Sequence, residues 1–408
     1  MDAQVQETLV SIFKDVPDPR GRNIRYPLVS LITMALFAVI SGVEDWWGVV
    51  EYARSKESWL RSFLELPAEL PSMQTYRRVF SRLSPEVLEQ ALLVWMQSLV
   101  GPTEGMLLCV DGKSICRSFG RGWDKSSMSH MVSMFVSDQG QVLSQVQCNG
   151  KGQELSSIME LLKLVDVTGA VITIDALGCQ TAVAERIIEA KAHYILPAKN
   201  NQKSTAQGVH ATLKDLILDQ AKGRDVPVDY VEDLDESHGR KVRRRVWLSR
   251  AVQYLPEAVR DKWPSMKSMA LVERRRQNYG DFINPGRETV EECVYISSLD
   301  KISVQQMAGF IRGHWGIENQ LHWQLDVSFG EDRSRLRVGH GAQNMSRLRR
   351  IALNLLQADK RTVSATNKTK LSVKTKRHRA GWDDKYLLEL LVGQATQRRN
   401  RTDQAAEK

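Results

Sequence analysis

The feature that most constrains the fold is an alternation of short apolar runs and helical patterns between Gly105 and Pro197. The runs typical of strands cover residues 106–110, 130–136, 141–147, 171–174 and 193–196. Between and after them, residues 154–164 and 181–192 have the apolar spacing of helices. The order β-β-β-α-β-α-β predicts an α/β fold with a mixed sheet flanked by helices.

Changes in residue composition along the chain predict its division into domains. We expect a helical N-terminal domain at 1–100, an α/β core at 101–204 that is completed by helices at 301–358, an inserted mainly-β domain at 205–300, and a basic polar tail with a short helix at 359–408. The N-terminal domain is either a helical cap or a DNA-binding domain that presents residues 74–78 on a recognition helix. The apolar run at 28–40 is too short to span a bilayer, so we expect a soluble protein.

The charge of the chain favours a polyanionic partner. Lys and Arg number 57 against 48 Asp and Glu, which gives a net charge of +9 and a pI near 9.3. A merely cationic protein has the same composition, but clustering favours nucleic acid. The clustered residues are Arg333, Arg335, Arg337, Arg347, Arg349 and Arg350, then Lys368, Lys370, Lys374, Lys376, Arg377 and Arg379.

The cysteines exclude two kinds of small, cross-linked domain. There are five of them, they are scattered, and none has CxxC or zinc-ligand spacing. The sequence therefore supports neither a disulfide framework nor a zinc ribbon, and it fits a reducing cytoplasm.

Asp111 and Asp175 each come where an apolar run ends. Acidic residues at the ends of strands on one edge of a sheet are well placed to meet at a single point. Asp111 is followed by Gly112, and Asp-Gly is also a plain turn signal, so position alone leaves a structural role equally open. Ala176 and Gly178 beside Asp175 would leave room for a ligand.

A third acidic residue, Glu318, lies in a segment rich in histidine and tryptophan that reads as a helix. His314, Glu318, His322 and Asp326 follow at intervals of four, so they are expected to line one side of it. A carboxylate at the edge of a core is costly unless it is paired or binds a metal ion.

Asp111, Asp175 and Glu318 together would form an all-carboxylate site. Hard oxygen ligands suit Mg²⁺ or Mn²⁺, and two such ions would support phosphodiester displacement. Asp326, Glu331 and Asp332 are alternative third carboxylates. A zinc hydrolase site on His314, Glu318 and His322 is a weaker reading, because the spacing is not that of HExxH and the two aspartates stay unexplained.

Four motifs appear together in this order: VDGKS at 110–114, TIDALGCQ at 173–180, LPAKNNQ at 196–202 and RGHWGIENQLHW at 312–323. With DPRGR at 18–22 and YPL at 26–28, they closely resemble the DDE transposases of bacterial insertion sequences, specifically the H-repeat-associated family. The resemblance covers residues 10 to 357.

The resemblance implies a ribonuclease-H-like core with Asp111 on the first strand, Asp175 on the fourth and Glu318 on a later helix. These carboxylates are then the catalytic and metal-binding residues, with Mg²⁺ (or Mn²⁺) as cofactor. The implied partner is double-stranded DNA, both the terminal inverted repeats and the target, bound by a homodimer. The resemblance further implies a cytoplasmic, nucleoid-associated bacterial protein without a membrane partner.

This chain departs from related transposases around the glutamate. They often carry a Tyr and an Arg before it and a Lys after it, where this chain has Ile311, His314 and Leu325. Arg312 and His322 are candidates to take over phosphate contacts. Trp315 and Trp323 are expected in the core, and His130 and Glu154 have no assignable role.

The remaining residues that we expect to contact DNA are basic or amide residues in loops and on helices. Lys113 is expected either to contact the scissile phosphate or to pair with Asp111. The full set of expected DNA contacts is Lys113, Lys199, Asn200, Arg240, Arg312, His322, Arg333 and Arg335. The function predicted is metal-dependent strand cleavage and transfer, and the alternative is a DNA-binding protein without catalysis, such as an inactive transposase remnant.

Overall fold

The computed structural model describes residues 2–22, 24–118, 128–148, 153–237, 239–278, 288–361 and 369–391, with the backbone alone for residues 2–6. The chain divides into two compact units. The helical unit comprises Met1–Pro102, Gly112–Ser157 and Gly316–Lys408, and the sheet unit comprises Thr103–Asp111 and Ile158–Trp315.

The strands, in chain order, are β1 Leu107–Ser114, β2 His130–Val136, β3 Gln141–Cys148, β4 Val171–Ile174, β5 His193–Ala198, β6 Val228–Ser237, β7 Arg240–Ser249, β8 Ser268–Asn278 and β9 Glu288–Ser297. The α-helices are α1 Asp2–Phe13, α2 Leu28–Ile40, α3 Trp46–Ser55, α4 Glu57–Leu60, α5 Met73–Arg82, α6 Pro85–Val100, α7 Glu154–Leu164, α8 Thr181–Glu189, α9 Lys203–Ala221, α10 Glu257–Arg260, α11 Val304–His314, α12 Trp323–Val327, α13 Gly341–Ala358 and α14 Val373–Trp382.

The sheet unit is built on a mixed sheet in the order β1-β4-β5-β9-β8-β7-β6. Strands β1, β4 and β5 are parallel neighbours, whereas β9 is antiparallel to β5 and the pairs that follow are antiparallel. All residues of β4 are buried, as is usual for a parallel strand covered on both faces. Helices α8, α9 and α11 pack on this sheet. The predicted α/β architecture, a mixed sheet flanked by helices, is confirmed.

The segment predicted as an insertion, 205–300, extends this sheet directly. Its strand β9 pairs with β5 from Ile195↔Ser297 to Ala198↔Val294. The same segment contains most of α9 and the strand β6, neither of which the sequence analysis anticipated. Strand β6 has exposed acidic residues along much of its length, so its pattern resembles a solvated loop more than a strand.

The helical unit is organised around α13. This helix contacts α2, α5, α6, α14 and β3, and every residue from Gly341 to Leu356 is buried. Helix α2 is likewise buried on all sides except at Val29, which explains why its sequence is apolar all round rather than amphipathic. Strands β2 and β3 form an antiparallel pair in this unit, with an irregularity between Met134 and Phe135.

A buried ionic cluster joins α6, β3 and α13. Glu89 is only 4% exposed, and its Oε1 accepts hydrogen bonds from the Gln145 amide at 2.9 Å and from Arg350 Nη1 at 2.8 Å. Its Oε2 accepts one from Arg347 Nε at 3.0 Å. Burial raises the pKa of Glu89, but Arg350 and Arg347 outweigh it and hold that pKa below its usual value. The carboxylate is therefore satisfied in the core by two guanidinium groups.

Local signals placed several elements correctly. Helix α7 and strand β4 have the bounds that the sequence predicts, and helix α2 coincides with the apolar run at 28–40. Pro27 precedes α2, and Gly101, with φ of 81°, follows the last residue of α6. Among the described residues, no helix combines the length and the apolar character that a membrane crossing needs.

Candidate functional site

Asp111 and Asp175 lie at the same edge of the sheet unit. Strands β1 and β4 are parallel, with Val110 opposite Ile174. Asp111 directly follows Val110 in the chain, and Asp175 directly follows Ile174. Asp175 is exposed and Asp111 is half-buried. Two carboxylates on neighbouring strands at one edge are arranged to share a ligand.

The carboxylate of Asp175 is fixed by a tight turn. Its Oδ1 accepts a hydrogen bond from the Gly178 amide at 3.2 Å and so caps the 3-10 turn Ala176–Gly178. A Cβ on Gly178 would lie 2.2 Å from Ile174 Cγ2. Glycine is therefore required for this turn to pack against β4.

The loop after β5 supports the Asp175 turn. The side-chain amide of Asn201 donates to the carbonyl of Ala176, and Gln202 Nε2 donates to the carbonyl of Cys179 at 3.0 Å. Lys199 and Asn200 are both exposed in the same loop. Two of the expected DNA contacts therefore lie in the loop that supports the Asp175 turn.

His314 ends α11 and contacts the same edge. Its Nδ1 lies 3.0 Å from Thr173 Oγ1 on β4. Burial lowers the pKa of His314, and the charge of Asp175 acts in the opposite direction. His314 stands where relatives often have an arginine, while Ile311 and Leu325, at the other two divergent positions, are buried. Those two side chains cannot supply phosphate contacts.

Strand β1 continues past Asp111 to Ser114, so the prediction that Asp111 ends a strand at an Asp-Gly turn is wrong. Gly112 serves close packing instead, because a Cβ there would lie 2.8 Å from His130 Nε2. His130 is held by Ser114 Oγ at 2.8 Å and by Glu154 Oε1 at 2.7 Å. His130 and Glu154 thus acquire a structural role beside the strand, which no local sequence signal could reveal.

Lys113, the next residue of β1, is surrounded by carboxylates. Its Nζ lies 2.7 Å from Asp326, 3.2 Å from Asp332 and 3.9 Å from Glu331. Burial lowers the pKa of Lys113, but the charges of Glu331, Asp326 and Asp332 outweigh it and raise that pKa. The alternative third carboxylates of the sequence analysis are therefore engaged by this lysine.

Glu318 does not lie on the regular α-helix that the sequence predicts, although Glu318 and His322, four residues apart, are neighbours. Helix α11 ends at His314, residues Glu318–His322 form a π-helical turn, and α12 begins at Trp323. π-Helical turns within helices occur frequently at functional sites. Glu318 is exposed, with 53% of its side chain accessible.

His322 lies beneath Glu318 in the π-helical turn. It is 7% exposed, and its Nδ1 lies 3.6 Å from Glu318 Oε2. Burial, with the positive charges of Lys113 and His130, lowers the pKa of His322 to about 4. A side chain so deeply buried has little surface to offer to DNA, which was the role expected for it.

The two tryptophans of this segment were expected in the core, and that expectation is wrong. Trp315 is 55% exposed and Trp323 is 54% exposed. Large exposed indole rings are typical of surfaces that bind a partner. Their neighbours Ile317 and Leu321 form the buried side of the segment instead.

The other residues that were expected to contact DNA differ in how exposed their side chains are. Arg312 is exposed, but its Nη1 pairs with Asp233 at 2.9 Å. Arg240 is half-buried at the start of β7, whereas Arg333 and Arg335 are exposed. Arg333 Nη2 lies 3.2 Å from Glu44.

Five of the twelve basic residues noted in the sequence clusters are buried and not available to a partner. Arg347, Arg349 and Arg350 are buried in α13, and Lys376 and Arg377 are buried in α14. Lys376 Nζ donates to the carbonyl of Leu356 at 2.8 Å. Arg377 Nη2 donates to the carbonyl of Val39 at 2.8 Å. These two residues satisfy carbonyl groups near the ends of α13 and α2.

Two known protein families match this chain. The family described as "Transposase DDE domain" matches residues 102–355, and the one described as "DDE_Tnp_1-associated" matches residues 10–96. The chain is 32% identical over 387 residues to "Putative transposase YncI" of Escherichia coli O157:H7, covering 95% of each. It is 27% identical over 383 residues to "H repeat-associated putative transposase YhhI" of Escherichia coli K12, covering 93% of this chain and 96% of that one. Among solved structures, the chain matches a piggyBac transposase synaptic complex with hairpin DNA. The match covers 98% of this chain and 79% of the piggyBac chain, with 13% sequence identity and a TM-score of 0.40.

Proposed function

Because the chain belongs to the transposase DDE domain family, we propose that it cuts DNA at the ends of an insertion sequence and joins the freed 3′-hydroxyl to target DNA. The residues that we propose for this chemistry are Asp111, Asp175 and Glu318. All of them lie inside the family match at 102–355.

The observation that carries this proposal is the register of β1 and β4. Val110 opposite Ile174 brings Asp111 and Asp175 to one edge on adjacent parallel strands. A DNA-binding protein without catalysis has no need for two carboxylates there, because carboxylates repel the phosphate backbone. The pair is explained if a cation lies between these carboxylates and a phosphate.

The donor set fits a hard divalent cation. Asp111, Asp175 and Glu318 offer only carboxylate oxygens, the ligands that Mg²⁺ and Mn²⁺ prefer, and Asp175 and Glu318 are exposed. Such a cation, when bound, stabilises the charge that develops on the attacking and leaving oxygens. Within the described residues, no cysteine set offers an alternative transition-metal site.

The chain's own residues would then hold and orient the DNA. Lys199 and Asn200, exposed in the loop whose Asn201 contacts the turn after Asp175, would contact a phosphate, and the exposed Arg333 and Arg335 would add positive charge to the surface of the helical unit. Lys113 is already paired with carboxylates. In this proposal it fixes the end of β1 and so keeps Asp111 in place, rather than reaching the phosphate itself.

The test is cleavage of a labelled duplex that carries the inverted repeats flanking the gene, with wild type and Glu318→Gln in Mg²⁺ and in Mn²⁺. Loss of a metal-holding carboxylate should slow cleavage by roughly 1000-fold, because the cation supplies several kcal/mol of transition-state stabilisation. The matched control is Glu51→Gln, which changes an exposed glutamate whose side chain is 65% accessible.

Equal cleavage by wild type and Glu318→Gln would remove Glu318 from the proposed site. Tight binding of the repeats without cleavage in either metal would instead favour a DNA-binding protein without catalysis. Because two element ends must be joined, the proposal also includes at least two copies of the chain in the active complex. The mass of the complex with repeat DNA, measured by light scattering, tests this part.

A further inference from the structure

Helix α14, Val373–Trp382, is fixed to the helical unit by its buried side. Lys376 and Arg377 are buried on this side and donate hydrogen bonds to main-chain carbonyl groups of α13 and α2. The guanidinium group of Arg377 also lies over the Phe329 ring, 4.0 Å from its centroid. Two cationic side chains therefore hold α14 in place, and the orientation of its opposite side is set by the core.

The outward side of α14 carries cationic groups and an indole ring. Lys374, His378 and Trp382 follow at intervals of four residues, so they lie along one face of the helix, and all three are exposed. Trp382 is 79% exposed, and its ring centroid lies 5.7 Å from that of His378. An indole with so much accessible surface is typical of a surface that binds a partner.

Positive charge is crowded at the start of α14. Lys370, just before the helix, and Lys360 are both exposed. Burial lowers the pKa of Lys376 and the carboxylate of Asp359 opposes that shift, but the charges of Lys360 and Lys370 add to it. The lysines are therefore close enough to repel one another, and an anion at this surface would relieve the repulsion.

Carboxylates do not offset the charge of the outward face. Helix α14 contains no acidic residue. The two aspartates that follow it are already paired, Asp383 with Arg379 at 3.7 Å and Asp384 with Lys56 at 2.7 Å. Lys385, the next residue, is exposed. The face therefore stays positive beyond both ends of the helix.

We propose that the outward face of α14, defined by Lys374, His378 and Trp382, binds the sugar-phosphate backbone of double-stranded DNA irrespective of its sequence. Lysine contacts phosphate as a point charge and reads no base. The indole N–H can donate to a phosphate oxygen while the ring covers a sugar. A second copy of the face would bring like charges together. A lipid surface is a poorer match, because Trp382 is the one large apolar side chain on this side of the helix.

This contact lies outside the two family matches, which cover residues 10–96 and 102–355. It shares its DNA partner with the proposed function and nothing else, since no carboxylate or metal ion takes part. Binding can therefore be measured without divalent metal, where the proposed cleavage does not proceed.

The first test uses the wild-type, full-length chain. Lysines are acetylated in solution without divalent metal, with and without a saturating duplex of scrambled sequence, and their modification is read by mass spectrometry. We expect the reactivity of Lys374 and Lys385 to fall when DNA is added. Lys163, an exposed lysine in the last turn of α7, is the matched control and should stay reactive.

The second test uses variants at exposed positions, with folding checked by circular dichroism. Lys374→Ala should reduce the slope of log affinity against log salt concentration by about 1, equally for the scrambled duplex and for the repeat duplex. Trp382→Ala should weaken both complexes and leave the slope unchanged, because it removes no charge. Lys163→Ala should do neither. Fluorescence anisotropy measures all of these affinities.

The outcomes separate this inference from the proposed function. If DNA binds and the reactivity of Lys374 does not change, the inference is wrong and the cleavage proposal stands. Protection by vesicles of phosphatidylcholine and phosphatidylserine, or by raised protein concentration, in place of protection by DNA would assign the face to a membrane or to a second copy and overturn the inference. If neither duplex binds at all, DNA is not the partner and the proposed function fails as well.

Discussion

Two neighbouring stretches of the helical unit have the same basic character and opposite environments. Arg333, Arg335 and Arg337 are exposed in the segment before α13. Arg347, Arg349 and Arg350 lie on α13 itself and are each at most 2% exposed. In the sequence, the two stretches form one continuous arginine-rich region.

The difference shows that a count of basic residues does not measure a DNA-binding surface. The buried arginines neutralise acidic side chains in the core: Arg347 and Arg350 pair with Glu89, and Arg349 lies 3.9 Å from Glu331. Only the exposed stretch can exchange its counterions for phosphates. Substitutions in the buried stretch should therefore lower stability, whereas substitutions in the exposed stretch should weaken DNA binding.

The largest expected effect is on the buried stretch. Glu89→Gln leaves Arg347 and Arg350 without a countercharge in the core, so the free energy of unfolding at pH 7 should fall by about 3–5 kcal/mol. Urea unfolding followed by circular dichroism measures this. Glu51→Gln, at an exposed glutamate paired with Arg54, is the control and should change stability little. A loss below 1 kcal/mol for Glu89→Gln would show that the cluster is not integral to the core.

The stability difference between wild type and Glu89→Gln should depend on pH. Because the folded-state pKa of Glu89 is held below its usual 4.5 by Arg350 and Arg347 despite burial, its charged form stabilises the fold above pH 4.5. That contribution is lost as pH falls through the folded-state pKa. The stability difference between wild type and Glu89→Gln should therefore shrink from pH 7 to below pH 4.5. A difference that stays constant over this range would contradict the assignment of a charged Glu89.

On the exposed stretch, the expected effect is on DNA binding. Replacing Arg333 and Arg335 together by alanine should reduce the slope of log affinity against log salt concentration by about 2, because each phosphate contact contributes roughly 0.9. Fluorescence anisotropy with a labelled duplex at several salt concentrations measures the slope. An unchanged slope would show that DNA does not reach this stretch.

The smallest expected effect is on the stability of the exposed stretch. Arg333 pairs with Glu44 at 3.2 Å, but its side chain is 69% exposed, so water screens the pair. Arg333→Ala should change the free energy of unfolding by less than about 0.5 kcal/mol. A loss comparable to that of Glu89→Gln would erase the contrast between the two stretches.

Much of the fold follows from local sequence signals. Pro27 and the apolar run after it define α2, and the β-branched residues of 171–174 define β4. The extension of β1 through Asp111 does not follow from such signals, because the Asp-Gly pair has a strong turn preference that tertiary packing overrides. The close approach of His130 to Gly112 depends on a contact between residues 18 positions apart, which a local reading cannot supply.

The site was predictable in its carboxylates and not in their surroundings. Asp111 and Asp175 stand out because each ends an apolar run, and the register of β1 and β4 brings them to one edge. The π-helical turn at Glu318 has no sequence signature, so the four-residue spacing suggested a regular helix. The sequence likewise predicts Trp315 and Trp323 in the core, whereas both are exposed.

The central position of α13 determines which fragments of this chain can fold. Helices α2, α5 and α6 precede residue 101, yet all three pack on α13, which begins at Gly341. A nascent chain that stops before α13 leaves the apolar surface of α2 uncovered, and such a product should aggregate or be degraded. A premature stop in this gene would therefore not release a stable N-terminal fragment able to compete with the full-length chain for DNA.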